Sequence, residues 1–419
     1  MFTTIGAIIG LAVAIVMIVR KTVPAYALML GAFIGGLAGG GNLGETVQAM
    51  VSGTQSMMPS VLRILSSGVL VGALVKTGSA AKIADAIVSL LGVRYALAAV
   101  AIATAVVCSV GVFIDIAVIT VAPVALAVGR KANIPIPALL IAMIGGGKAG
   151  NIVSPNPNTI AAADAFKVDI TALIAANIIP ALCTLVFAIA ISFLLAARCR
   201  KKEYEPNEPL ESNAQGSDLP AIWSALSGPA TVVALLSLRP LFSIAIDPLI
   251  ALPAGGIVSA LACGKWKSTM EFAQFGLGKV TGVAVLLIGT GTIAGIVKAS
   301  GLNSDMIVLL EALHLPMAAL APVSGILMAG ATASTTAGAT IASQTFAGAL
   351  TQAGVPALAA AATVHAGATV VDSLPHGSFF HATGGSVFMG VKERLKLIPF
   401  EAAVGLMATV SSVAVNLLL

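Results

Sequence analysis

The chain has 419 residues, 58% of them hydrophobic and only 9% charged, with a mean hydropathy of +1.03. A soluble domain of this size does not expose so little charge, so the composition predicts an all-α polytopic membrane protein. The net charge of +5 is read as Lys and Arg in cytoplasmic loops, not as a nucleic-acid surface.

In chain order, residues 2–19 are long enough to span and end at Arg20-Lys21 with no cleavage pattern before them, which predicts a first span with the N-terminus outside. Residues 22–40 return outward, 42–59 are mixed and predicted at the surface, and 62–77 cross again. Residues 79–92 read as a short polar connection. Residues 95–110 and 116–128 read as two further crossings, the second ending at Arg130-Lys131. The run from Ile136 enters the stretch around which the chain is organised, and 170–197 exit at Arg198 to Lys202. Residues 203–220 read as a solvated cytoplasmic linker between a first repeat, 1–202, and a second, 221–419. The second repeat has predicted crossings at 222–238, 246–263, 272–297, 317–332, 337–350, 355–371 and 399–419, with 302–315 as a connection. Seven crossings per half, about 14 in all, keep every basic cluster inside. Re-entrant hairpins at Gly-rich segments such as 62–78 would lower the number, so the expectation is about 12–14.

The organising stretch runs from Gly145-Gly146-Gly147-Lys148 to Ser154-Pro155-Asn156-Pro157-Asn158-Thr159. Two prolines cannot sit inside an unbroken helix, and freed backbone groups survive in a bilayer only inside protein or beside water. A counterpart lies at Val371-Asp372-Ser373-Leu374-Pro375-His376-Gly377-Ser378. Their leads match, Ile136-Pro137-Ala138-Leu139 against Val355-Pro356-Ala357-Leu358, as do Gly72 to Gly78 and Gly295 to Gly301, all about 220 residues apart. Because the first half begins outside and the second inside, the pattern predicts inverted-topology repeats whose broken helices meet at a solute site.

Phe113-Ile114-Asp115 followed by Pro123, the Pro155 to Ala163 run and Ala337-Gly338-Ala339-Thr340-Ile341-Ala342 resemble elements of the gluconate permease (GntP) family, within the ion-transporter superfamily of inverted-repeat carriers. The resemblance covers most of the chain. It implies uptake of a small hydroxylated carboxylate, such as a sugar acid, with protons. Two elements depart from the family pattern: Pro-His-Pro-Gly-Pro reads Pro155-Asn156-Pro157-Asn158-Thr159 here, and Ser-His-Val-Asn-Asp appears as Asp372-Ser373-Leu374-Pro375-His376.

Asp115 and Asp372 are candidate proton-coupling groups, since a carboxylate within the membrane is costly; the bland alternatives are an interfacial Asp115 and an Asp372 that caps the next helix. Lys148 is the candidate cation for a substrate carboxylate, free or paired with Asp115 or Asp372, against a lysine snorkelling to the interface. Ser154, Asn156, Asn158, Thr159 and Ser378 offer donors and acceptors for hydroxyls, or simply satisfy broken backbone. Ser334 and Thr335 belong to a hydroxyl cluster, with Thr336 and Thr340, that suits substrate or a cation. His376 is a further candidate substrate contact at the second break, with His381 beside it, while His365 and His314 read as packing or interfacial. The four cysteines are scattered without metal spacing and read as packing residues; no cofactor, metal or nucleotide motif is present, and an enzyme is not expected. The coupling ion is a proton or sodium. The expected partners are a small carboxylate and the lipid of an inner (plasma) membrane, with both termini outside and self-association left open.

Overall fold

The computed structural model describes residues 2–199, 219–242, 244, 246–302, 305, 308, 316–375 and 377–418. Most of the predicted linker, together with His314 and His376, lies outside the described residues. The described chain is helical, opening with α1 (Thr4–Val19), α2 (Pro24–Ala38), α3 (Leu43–Ser56) and α4 (Met58–Lys76). Then come α5 (Ser79–Leu91), α6 (Ala96–Ser109), α7 (Ile114–Ala132), α8 (Ile136–Ile152), α9 (Pro157–Phe166), α10 (Ile170–Ala176) and α11 (Ile178–Cys199). After the linker follow α12 (Ile222–Phe242), α13 (Pro248–Ala262), α14 (Thr269–Lys298), α15 (Leu320–Thr332), α16 (Thr335–Gln352), α17 (Ala357–Gly367), α18 (Ser378–Gly385), α19 (Val391–Leu395) and α20 (Ile398–Val413).

Glycines set how these helices approach. A Cβ on Gly6 would lie 2.3 Å from Gly39, and one on Gly10 2.7 Å from the carbonyl of Gly31, so α1 and α2 run antiparallel in backbone contact. Gly53 meets Gly291 and Gly295, Gly68 meets Gly276, and Gly72 meets Phe272, so α3 and α4 together lie antiparallel along the single helix α14. Residues 42–59, expected as a surface stretch, are therefore mostly the helix α3, which continues that line. Close approach of this kind suits a bilayer, where small residues rather than apolar burial drive helix pairing. Large apolar side chains face outward instead, among them Ile5, Val186, Trp223, Leu327 and Val410.

One group of packed helices contains α1 to α4 and α12 to α14; another contains α6 to α11 and α15 to α20. Helix α5 touches both groups, α9 leans on α4, and α16 leans on α14. Each group draws on both halves of the sequence.

Five helical stretches among the described residues are long and apolar enough to cross a membrane: Met58–Lys76, Ile136–Phe166, Ile178–Cys199, Trp266–Lys298 and Val391–Leu417. A sixth joins Ser79–Leu91 to Val93–Ser109 across a 106° bend. The expectation of 12–14 crossings exceeds these five or six stretches, and six further apolar helices are shorter, at 10–17 residues. Helices α6 and α7 pack on each other, as do α15 and α16, and a Cβ on Gly338 would sit 2.5 Å from Ala329. The 95–110/116–128 and 317–332/337–350 pairs are thus packed helix pairs joined at 110–113 and 333–334. The stretch 79–92, expected as a short connection, is the helix α5.

Phe2 donates its backbone N–H to the Ala299 carbonyl, so α1 begins where α14 ends. Lys76, Lys265 and Lys267 lie at the other end of α14, while Ala25, just past Arg20 and Lys21, meets Gly289 part-way along it.

Candidate functional site

The organising stretch is broken over fewer residues than its polar sequence suggests. Helix α8 continues through the glycines to Ile152 and stops at Val153, and α9 starts at Pro157, its first residue. The glycines belong to the helix because its neighbours press on its backbone. A Cβ would lie 2.0 Å from the Ala101 carbonyl at Gly146 and 2.2 Å from that of Ala105 at Gly150, both on α6; at Gly145 it would meet Ala188 of α11 at 2.4 Å, and at Gly147 Ile114 of α7 at 2.6 Å. Lys148 thus sits on a fully enclosed helix, not in the break. It is 0% exposed and does not snorkel.

Its partners come from the other half of the chain. Lys148 Nζ donates to Asp372 Oδ1 at 2.7 Å and to the Thr369 carbonyl. Asp372, 1% exposed, lies in the non-helical segment after α17. Its Oδ2 accepts from the Thr335 hydroxyl at 2.6 Å, and its Oδ1 from the Ser373 hydroxyl at 2.9 Å. It does not cap α18, whose N-cap Gly377 has no side-chain partner. The second break is pinned by close contacts: Gly377 against the Ala333 carbonyl at the α15–α16 tip, and Gly405 of α20 against Thr369 and Val370.

One turn along α8 from Lys148, about 5–6 Å away on the same face, stands Asn151. Its Oδ1 accepts from Asn156 Nδ2 at 2.6 Å and from Asn158 Nδ2 at 3.0 Å. Asn156 Oδ1 caps α9, accepting from the backbone N–H groups of Asn158 and Thr159. Asn156 and Thr159 therefore do the backbone-satisfying work of a cap. Polar atoms remain without partners: Asn151 Nδ2, Ser154 Oγ, Asn158 Oδ1, Thr340 Oγ1 and Ser343 Oγ are all buried and unbonded.

Asn158 stands on α9, and Thr340 and Ser343 stand on α16, a helix packed against it. Gln344 Nε2 reaches the Ala161 carbonyl at 3.4 Å, and the ends of both helices, Asp164 to Lys167 and Gln344 to Gln352, line one cavity of about 800 Å³ with Lys298. The two helices run parallel, which sets Thr340 and Ser343, one turn or less before Gln344, beside Asn158. Buried polar atoms are normally hydrogen-bonded, which makes these five candidate ligand contacts, although none of them lines the 800 Å³ cavity.

Of the other expected residues, Ser334 caps α16 by accepting from Ala337 N–H at 3.3 Å. Ser378 opens α18 and is exposed. Asp115 is half-buried in the first turn of α7, and no hydrogen bond joins it to Lys148 or Asp372 among the described residues. His381 bonds the Pro375 carbonyl at 2.8 Å. His365 is fully buried with neither ring nitrogen bonded.

Two charged clusters had no warning in the sequence. Arg63 of α4 bonds Asp247, the N-cap of α13, through Nε and at 2.6 Å through a terminal nitrogen, and also bonds Asp164 of α9, which accepts from Ser60 as well. The guanidinium bonds hold the Asp247 carboxyl below its usual range. Asp164 borders both the 800 Å³ cavity and a second of about 590 Å³ lined by Arg63, Lys167 and Asp247. Deeper, Arg394 bonds Glu401 and Thr383. No group of three His, Cys, Asp or Glu side chains suited to a metal occurs among the described residues.

Residues 2–418 match the model of one protein family, described as GntP family permease. An uncharacterized transporter of Haemophilus influenzae is 50% identical over 410 residues, 98% of this chain and 97% of that protein. An uncharacterized permease of the same organism is 29% identical over 206 residues, 48% of this chain and 41% of that one. Among solved structures, the Alcanivorax borkumensis YdaH transporter superposes with a TM-score of 0.64 at 16% identity, over 89% of this chain and 88% of that one, a likeness of fold.

Proposed function

The chain belongs to the GntP permease family, and from that premise we propose that it is a secondary-active symporter importing a small hydroxylated carboxylate, of the sugar-acid or hydroxy-acid class, together with protons. The observation that supports this most is the buried Lys148–Asp372 pair beside the unpartnered amide and hydroxyl atoms of Asn151, Ser154, Asn158, Thr340 and Ser343. A dehydrated carboxylate needs a cation, and its hydroxyls need neutral donors and acceptors. Lys148 and Asn151, one turn apart on α8, offer one of each.

The helices also fit an inverted-repeat reading. The pairs α1–α2 and α12–α13, the line α3–α4 and α14, the hairpins α6–α7 and α15–α16, and the broken pairs α8–α9 and α17–α18 follow in the same order. The arm leaving each break crosses over: α9 packs on the hairpin arm α16, and α18 on α7. With Lys76, Lys265 and Lys267 placed inside, the N-terminus falls outside an inner membrane. Alternating access is then movement of the site-bearing group against the group of α1 to α4 and α12 to α14.

A sodium-coupled reading has one observation in its favour. Ser154 Oγ, Asn158 Oδ1, Thr340 Oγ1 and Ser343 Oγ are neutral oxygens without partners, the kind of donor a hard cation takes. Vesicles separate the readings: proton coupling predicts that gluconate uptake collapses with a protonophore and ignores sodium. Uptake driven by a sodium gradient alone, untouched by a protonophore, would reverse the assignment. The variant Asn158→Ala should fold normally and bind gluconate some threefold to tenfold more weakly, the effect of about 1 kcal/mol for a lost neutral hydrogen bond. Unchanged affinity would return Asn158 to a purely structural role.

A further inference from the structure

We infer that Asp372 is a resident stand-in for the substrate's carboxylate: the anion reaches Lys148 only by displacing Asp372, and the displaced Asp372 takes up the coupled proton. This rests on the carboxylate-uptake reading above and adds its coupling step.

In the structure Lys148 is already neutralised. Its ammonium group holds the Thr369 carbonyl and Asp372 Oδ1, and neither side chain of the pair is more than 1% exposed. An incoming anion therefore meets no unpaired cation beside Asp372 among the described residues. It must exchange with a carboxylate that the chain itself supplies. Lys148 is fixed on a helix gripped by glycine contacts with α6, α7 and α11. Asp372 is on a segment outside any helix, so its side chain can leave without breaking a helical ladder. The departure point is prepared as well. Thr335 and Ser373 donate to the carboxylate here, and hydroxyls rotate to accept from a protonated acid equally well. The arrival point is prepared by Asn151 and Ser154, whose free Nδ2 and Oγ continue past Lys148 on the α8 side.

The charge balance fixes the stoichiometry. Before exchange the site holds one ammonium and one carboxylate. After exchange the ammonium holds the substrate's carboxylate, and Asp372 is a neutral acid carrying one proton taken from the outer solution. A buried carboxylate deprived of its cation is costly, and a proton removes that cost. The interior is neutral in both states, so one proton accompanies each monovalent anion. On the inner side the proton and anion leave and the pair re-forms.

Other titratable groups around Asp372 among the described residues, which do not include His376, are committed elsewhere or set apart. Helices α15 and α16 bring no charged residue, and α8 brings Lys148 alone. Glu401 of α20 is held by Arg394, and His381 of α18 by the Pro375 carbonyl. Asp115 on α7 is not bonded to the pair, and His365 lies two turns earlier on α17.

The test uses purified protein with gluconate and lactate as probes. Asp372→Asn removes the competitor, so gluconate affinity at neutral pH should rise at least tenfold and stop depending on pH. The variant should still exchange external for internal gluconate, yet no longer accumulate it under a pH gradient. A second measurement needs no variant. Calorimetry of wild-type protein in buffers of different ionisation enthalpy should show one proton taken up per anion bound, and uptake should ignore an imposed membrane potential. Unaltered affinity and pH dependence in Asp372→Asn, no proton uptake on binding, or uptake that moves net charge would each overturn the inference while leaving carboxylate uptake standing. Failure of wild-type protein to bind any sugar or hydroxy acid would remove that reading first, and the inference with it.

Discussion

Lys148→Met is expected to abolish gluconate accumulation and to lower the protein's thermal stability sharply. Two effects add. The substrate loses the one cation in the enclosed site, and a charge-assisted hydrogen bond contributes about 1.5–3 kcal/mol, or roughly tenfold to a hundredfold in affinity. Asp372 also loses its cation, and must either take up a proton or stay charged beside only the Thr335 and Ser373 hydroxyls. Removing one partner of a buried ion pair costs about 3–5 kcal/mol. The double variant Lys148→Met/Asp372→Leu separates the two effects. Replacing both partners with apolar groups is often neutral for stability, so the double variant should regain most of the unfolding temperature and none of the uptake. Measured by thermal unfolding in detergent and by vesicle uptake, recovery of both together would deny Lys148 a role in binding.

Arg394→Met should be nearly as damaging to stability, for a different reason. Arg394 is 1% exposed. It bonds both oxygens of Glu401, reaches Thr383 at 3.1 Å and stacks 5.0 Å from the Phe380 ring centre. One guanidinium thereby ties α18, α19 and α20 together at the end of the arm that leaves the second break. Its loss leaves Glu401 buried without a cation, again about 3–5 kcal/mol. Glu401→Gln should be milder, because the amide still accepts from the guanidinium. The fraction of protein remaining monodisperse after heating reads this directly. Gluconate affinity of the surviving Arg394→Met fraction should change less than in Lys148→Met; equal losses would place Arg394 in the binding site.

Much of the candidate site was legible because membrane sequences tolerate so few polar residues. A lysine after three glycines and an aspartate before a Leu-Pro pair stand out in apolar runs, and the structure joins them. The extent of the first break was not legible. Glycine and asparagine read as helix-weakening residues, yet Gly145, Gly146 and Gly150 are helical because neighbouring backbones occupy the space of their missing side chains. Asn151 escaped notice for the same reason, being taken as part of an irregular stretch when it is the acceptor that organises Asn156 and Asn158. The number of crossings was not legible, because an apolar run of some 15 residues has the same composition whether it spans or turns back, and length arguments near about 17 residues do not separate the cases. The Arg63–Asp164–Asp247 cluster was invisible, since its members are 101 and 184 residues apart and each alone resembles an interfacial charge. The cap roles of Asn156 and Ser334 show the ordinary use of such residues, while the unbonded Asn158, Ser154 and Thr340 show what capping leaves over.

The most direct measurement is an experimental structure of the protein with a bound sugar or hydroxy acid, chosen as the anion that most raises its unfolding temperature. The carboxylate is predicted within hydrogen-bonding distance of Lys148 Nζ, with Asp372 turned away and the hydroxyls against Asn151 and Asn158. A ligand seated instead in the cavity lined by Lys167 and Lys298, with Lys148 and Asp372 still joined, would contradict the account.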